Sequence, residues 1–77
     1  MIKIDGILYD TIEDAQGAIL IAKKIDIRDV PTLTQLDAPA ATYLRVENNA
    51  ALTQLDAPAA TDLWVENNAA LVKVNGG

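Results

Sequence analysis

The stretch LTQLDAPAATYLRVENNAA, Leu33 to Ala51, is followed without a break by LTQLDAPAATDLWVENNAA, Leu52 to Ala70. These two copies of 19 residues differ only where Tyr43 becomes Asp62 and Arg45 becomes Trp64. Copies this alike must fold alike, so the chain has to present the same elements at a fixed interval. The period also reaches beyond the copies. A step of 19 residues back from Leu44 and Val46 arrives at Ile25 and Ile27, and a step forward arrives at Leu63 and Val65. Leu33, Leu52 and Leu71 align in the same way, as do Leu36, Leu55 and Val74, while Val30 stands where Asn49 and Asn68 recur. Apolar positions recurring at a period of about 20 residues indicate stacked turns: no single turn can bury its apolar side, but neighbours share a continuous core.

The segment before the repeat reads differently. MIKIDGILYD alternates apolar and polar residues around Asp5-Gly6, a dipeptide that tolerates the positive φ angles of a type I′ turn and so predicts a hairpin. Asp10 and Glu13 have the spacing of a capping box, which places a helix start near Thr11. Ile12, Ala15, Ile19 and Ala22 recur at helical spacing, and Lys23 and Lys24 stand where cations favour a helix C-terminus. Gly17 lowers helix stability by about 1 kcal/mol relative to Ala, which points to a close approach by a neighbouring element. The expected fold class is α+β. An N-terminal β-hairpin and capping helix occupy residues 1–24, and a three-turn parallel β-solenoid occupies residues 25–77, the two forming one folded unit. Ile12, Ile19 and Ala22 are expected to cover the Ile25 turn, whereas LVKVNGG at the other end is too short to shield the Leu71 layer fully.

Within a turn, the order L-x-V-x-x-N-A-A-L-x-x-L-x-A-P resembles the L-x-L-x-x-N frame of leucine-rich repeats over roughly Ile25 to Asn75. The resemblance implies that Leu44 and Val46 are inward-facing strand residues. It also implies that Asn49 and Asn68 form a ladder whose side chains satisfy backbone groups at a bend, with Ala38-Pro39 and Ala57-Pro58 on the return side. The turns are shorter than those of most members, and Val30 departs from the Asn position. The A-L-x-x-L-x-A-P and V-x-x-N-A repeats also look like those of phage and mobile-element proteins. Asn48 and Asn67 read as structural like their neighbours, and Asp37 and Asp56, each just before Ala-Pro, are expected to make local turn hydrogen bonds.

Composition closes most catalytic routes. The chain of 77 residues has no Cys and no His, so thiol and imidazole nucleophiles, Ser-His-Asp triads and the usual transition-metal ligands are absent. No phosphate-binding loop, zinc spacing or nucleophile elbow is present, and no catalytic residue, metal site or cofactor is expected. Glu47 above Glu66 reads as a solvated ladder and not as a catalytic or cation-binding pair. A net charge of −5 disfavours direct nucleic-acid binding, because that affinity rests on clustered Lys and Arg. AILIA is far too short to span a bilayer, and MIKIDG lacks the basic start and long apolar core of a secretory signal. The expectation is a cytoplasmic protein, in the host cytoplasm if phage-encoded, without membrane contact.

The two altered positions carry the functional signal. With Leu44 and Val46 inward, Tyr43, Arg45 and Glu47 point outward. Stacking the turns predicts exposed columns of Lys24, Tyr43 and Asp62, of Asp26, Arg45 and Trp64, and of Arg28, Glu47 and Glu66. Tyr43, Arg45, Asp62, Trp64, Glu47, Glu66 and Asp26 are the candidate partner-binding residues. Trp64 leads this set, being one of three aromatic residues in the chain and a type enriched among interface hot spots. The plainer account is that Trp64 shelters neighbouring apolar atoms while Arg45 pairs with Glu47 or Asp26.

Small acidic chains without Cys or His resemble phage anti-CRISPR proteins in general type. That resemblance implies a non-enzymatic inhibitor occupying the basic nucleic-acid-binding surface of a host defence complex, such as a type I CRISPR effector. The alternative is a generic protein-protein interaction or structural repeat module of a phage or bacterium. Either way the partner is a protein, with a basic surface in the inhibitor reading. The chain is expected to be a monomer or a weak homodimer through its C-terminal end.

Overall fold

The computed structural model describes residues 1–76; Gly77, the last residue of the expected repeat region, lies outside the described residues. In chain order the elements are β1 (Ile2–Ile4), β2 (Ile7–Tyr9), α1 (Ile12–Ile21), β3 (Lys24–Arg28), β4 (Gln35–Asp37), β5 (Tyr43–Glu47), β6 (Gln54–Ala57), β7 (Asp62–Glu66) and β8 (Lys73–Gly76). The strands form two sheets. One has five strands in the order β2-β1-β3-β5-β7, and the other has three in the order β4-β6-β8.

This arrangement corrects the expected α+β fold with a leucine-rich-like three-turn β-solenoid. The protein is mostly sheet, with one helix of 10 residues among the described residues, and its strands divide between a mixed five-stranded sheet and a parallel three-stranded sheet. Two physical causes account for the difference. First, the hairpin does not stand apart: β1 pairs antiparallel with β3, Ile2 opposite Ile27 and Ile4 opposite Ile25, which merges it into the larger sheet. Second, the segments around Leu36 and Leu55 are strands of a separate sheet. Gln35-Leu36-Asp37 and Gln54-Leu55-Asp56 each point one apolar residue inward between two polar ones, and they pair with each other in register. Asp37 and Asp56 accordingly sit on strands, and their side chains make no turn hydrogen bond among the described residues.

Parallel pairing follows the 19-residue offset throughout. Leu44 lies between Ile25 and Leu63, Val46 between Ile27 and Val65, and Leu55 between Leu36 and Val74. Inward residues of both sheets belong to one core, in which Ile25, Ile27, Leu44, Val46 and Leu55 are completely buried. Each such side chain contributes about 1.5–3 kcal/mol by leaving water.

The bends carry the polar part of the repeat. Asp29, Asn48 and Asn67 occupy the same place in successive turns and have φ of 57°, 55° and 53°, the left-handed region that Asn and Asp tolerate best after Gly. Next to them runs the asparagine ladder. Buried Asn49 accepts from the Val30 amide (3.0 Å) and donates to the Ile27 carbonyl (3.2 Å), while Asn68 accepts from the Asn49 amide (3.0 Å) and donates to the Val46 carbonyl (3.0 Å). Val30 interrupts the series because β1, running antiparallel, lies on the far side of β3, where no preceding parallel turn offers a bend amide.

At the start of the chain, β1 and β2 pair around Asp5-Gly6, with φ of 49° and 84°. The Asp5 carboxylate accepts from the amides of Lys23 and Lys24 (3.1 and 2.9 Å), fastening the turn to the start of β3. Three local expectations are corrected. The helix is capped by Thr11, whose hydroxyl accepts from the Asp14 amide at 3.1 Å, and not by Asp10. Ala22 ends the helix, so Lys23 and Lys24 lead into β3 and cap nothing. A methyl group in place of the Gly17 hydrogen would meet nothing within 4 Å, so no close packing explains this glycine. Ala15, Ile19 and Ala22 are buried beneath the helix, with Ile12 half-buried beside them.

Candidate functional site

Strand alternation builds the outer face of the five-stranded sheet. In β5 the inward residues Leu44 and Val46 are buried while Tyr43, Arg45 and Glu47 are half-buried on the opposite side. The register sets Lys24 beside Tyr43 beside Asp62, Asp26 beside Arg45 beside Trp64, and Arg28 beside Glu47 beside Glu66. All seven candidate residues thus share one face. Lys3 on β1 joins them opposite Asp26. The 19-residue period could not reveal this residue, because an antiparallel strand lies outside the repeat, although its place between buried Ile2 and Ile4 is a strand signature.

The columns are chemically interlocked. Arg28 grips Asp26 with two parallel hydrogen bonds, Nε to Oδ1 at 2.9 Å and Nη2 to Oδ2 at 2.8 Å. That hydrogen bonding holds the Asp26 carboxyl below the usual carboxylate range and raises the guanidinium above its own. On β5 Arg45 Nε donates to Glu47 Oε1 at 2.7 Å, which raises the Arg45 pKa. The cations also stack on aromatic rings. Lys24 Nζ lies 5.2 Å from the Tyr43 ring centre, and the Arg45 guanidinium lies 5.2 Å from that of Trp64.

These contacts bear on one of the two differences between the copies, the change from Arg45 to Trp64; no contact explains the change from Tyr43 to Asp62. A perfect copy would place Arg at position 64 in register with Arg45, two guanidiniums side by side; the indole turns that repulsion into a stack. Trp64 is nevertheless 52% exposed, so the stack covers only part of the ring. Replacing Arg by Trp has a second effect. On β3 and β5 the carboxylate has an arginine two residues away, whereas on β7 Glu66 has Trp64 there and forms no ion pair among the described residues.

The face carries Lys3, Lys24, Arg28 and Arg45 against Asp26, Glu47, Asp62 and Glu66, so it is neutral as a whole. The net charge of −5 therefore resides elsewhere, chiefly at Asp10, Glu13 and Asp14 around the helix start and at Asp37 and Asp56 on the smaller sheet. Within the face, cations gather at β1 and β3 and unpaired carboxylates at β7. Two open grooves indent it. Lys3, Lys24, Asp26 and Tyr43 line one, and Tyr43, Thr61, Asp62, Leu63 and Trp64 line the other.

Among the described residues no helix is long and apolar enough to cross a membrane. The fold and this face together define a two-sheet β protein assembled from repeated units, with a grooved, partly aromatic outer surface. Comparison with protein-family models, with curated proteins and with solved structures finds no match.

Proposed function

We propose that the protein is a non-enzymatic binding module that docks a protein partner of basic character through the outer face of its five-stranded sheet. The observation that carries this reading is the exposed Trp64 indole, held by Arg45 on one side and flanked by Asp62 and Glu66 along its strand. An aromatic surface beside two free carboxylates suits a partner that offers a Lys or Arg near an apolar patch. Tyr43 extends the contact along the adjoining groove. The acidic remainder of the molecule adds long-range attraction, raising the rate of encounter more than the final affinity. A protein whose basic surface holds nucleic acid is the partner class of first interest, since docking there blocks that surface and makes the module an inhibitor.

The test is affinity capture from a plausible host lysate with the native protein and with Trp64→Ala and Asp62→Lys, followed by titration of the purified partner. Loss of Trp64 should weaken binding about thirtyfold, equivalent to about 2 kcal/mol, with an unchanged circular dichroism spectrum. Binding should also fall as salt rises, and the partner should lose its hold on nucleic acid when the complex forms. A complex indifferent to Trp64 would move the contact to another surface, and a partner still bound to nucleic acid would leave an accessory module in place of an inhibitor.

A further inference from the structure

The two ends of the stack are finished differently. At the β3 end, β1 of the hairpin pairs with β3 and the helix packs against the hairpin, and Ile25 and Ile27 are fully buried. At the β7 and β8 end nothing among the described residues covers the last layer. Leu63 and Val74 are 38% and 46% exposed, while their equivalents one turn earlier, Leu44 and Leu55, are completely buried. β7 and β8 are also edge strands of their respective sheets, each with an unpaired row of amides and carbonyls.

We propose that two copies of the chain associate through this end, β7 of each pairing antiparallel with β8 of the other. Geometry selects this pairing over the alternative in which β7 meets β7. Parallel strands repeat about 4.8 Å apart, and the chain crosses from one sheet to the other and back in each 19-residue interval. A steady advance places β8 about half a spacing, ~2.4 Å, beyond β7 along the stack. A two-fold axis parallel to the strands sets each β7 beside a β8, so the two offsets cancel and both junctions close at a normal strand spacing. With the axis perpendicular to the strands, β7 meets β7 at that spacing only if the two β8 strands collide.

Charge and shape agree with this choice. In the antiparallel register that sets Glu66 opposite Lys73 of the second copy, Val65 falls opposite Val74, Trp64 opposite Asn75 and Leu63 opposite Gly76. Outward residues meet outward residues, and inward meet inward. Glu66 has no ion pair within its own chain among the described residues, and neither has Lys73, so both are free to form this one twice across the two-fold axis. The β7-to-β7 register would instead oppose Asp62 and Glu66, like charges on facing strands. Trp64 remains on the outer surface of the pair, while Glu66 serves both readings, so the dimer is tested on the protein alone, without a partner, and survives if the partner-binding reading fails.

The test is sedimentation equilibrium on the native protein, Glu66→Lys, Lys73→Glu and the double exchange Glu66→Lys/Lys73→Glu, with circular dichroism on each. A concentration-dependent monomer–dimer equilibrium is expected. Each single reversal should weaken it about tenfold or more, by turning two attractions into two repulsions, and the double exchange should restore it. A native protein that stays monomeric at millimolar concentration overturns the proposal. So do open-ended oligomers, which would mean head-to-tail growth, and a dimer that Glu66→Lys strengthens, which would mean that β7 meets β7.

Discussion

The side-chain nitrogen of Asn49 lies 3.2 Å from the side-chain oxygen of Asn68, one turn further along, and each asparagine also ties the backbone of the turn before it. Asn49 is the one polar residue in the fully buried set among the described residues. Replacing Asn49 by Ala strands the Val30 amide, which costs about 1–3 kcal/mol when buried without a partner, and takes one hydrogen bond from the Ile27 carbonyl. Urea denaturation should show Asn49→Ala less stable by about 3 kcal/mol, with a smaller loss for Asn68→Ala at the partly exposed end of the ladder. Equal effects would mean that the ladder is not cooperative with burial.

Leu44 and Leu63 are the same residue in the same position of successive turns, yet only Leu44 is sealed from water. Leu44→Asp should bury an unpaired charge and abolish the folded state. Leu63→Asp, which the sequence alone places in the same class, should leave the protein folded with a loss of about 1–2 kcal/mol. Thermal melts of the two variants at concentrations where the chain is monomeric separate these outcomes, and an unfolded Leu63→Asp would show that the single chain cannot fold with this position charged.

Restoring the repeat at one position tests the stack between Arg45 and Trp64. Trp64→Arg removes a cation–π contact worth about 0.5–1 kcal/mol at an exposed site and sets two guanidiniums side by side. The variant should therefore be less stable than the native protein by about 1 kcal/mol, and the loss should shrink as salt screens the repulsion. The reverse variant Arg45→Ala should leave Trp64 more accessible to acrylamide, visible as stronger quenching of the single tryptophan's fluorescence.

Acid should act through Asp26. Its pKa is lowered in the folded state by the hydrogen bonds from Arg28, so the unfolded chain takes up the proton first. The stabilisation is complete above the ordinary aspartate value of 3.8 and is lost as pH falls through the lower native value. Comparing melting temperatures of the native protein and Asp26→Asn from pH 7 to pH 2, the difference should be constant down to about pH 4 and then close. A difference that widens in acid would contradict the pairing.

The strand register was legible in the sequence because a step of 19 residues maps Leu44 onto Leu63 without any structural knowledge. The outward set from Asp26 to Glu66 followed from the same step and simple alternation. Sheet membership was not legible. A period says which residues stack but not whether the Leu36 and Leu55 segments do so as strands or as loops, since both bury one leucine per turn. Nor does it reach β1, whose antiparallel pairing with β3 arises from the Asp5 turn and the Lys23 and Lys24 amides it holds. The Arg45–Glu47 pair was one of the two partners the sequence offered for Arg45, whereas the choice between them, the Arg28–Asp26 pair and the Arg45 stack depended on side-chain rotamers, which spacing alone leaves open.

The uniform 19-residue offset has a consequence at the level of the gene. A tandem duplication or deletion of whole 19-codon units adds or removes one strand from each sheet together and keeps every bend, left-handed position and ladder asparagine in phase. Any other insertion length breaks the phase of all three. Replication slippage between the near-identical copies can thus lengthen or shorten this protein in discrete steps that remain foldable, and point changes at positions such as 43 and 62 or 45 and 64 then give each new strand its own surface.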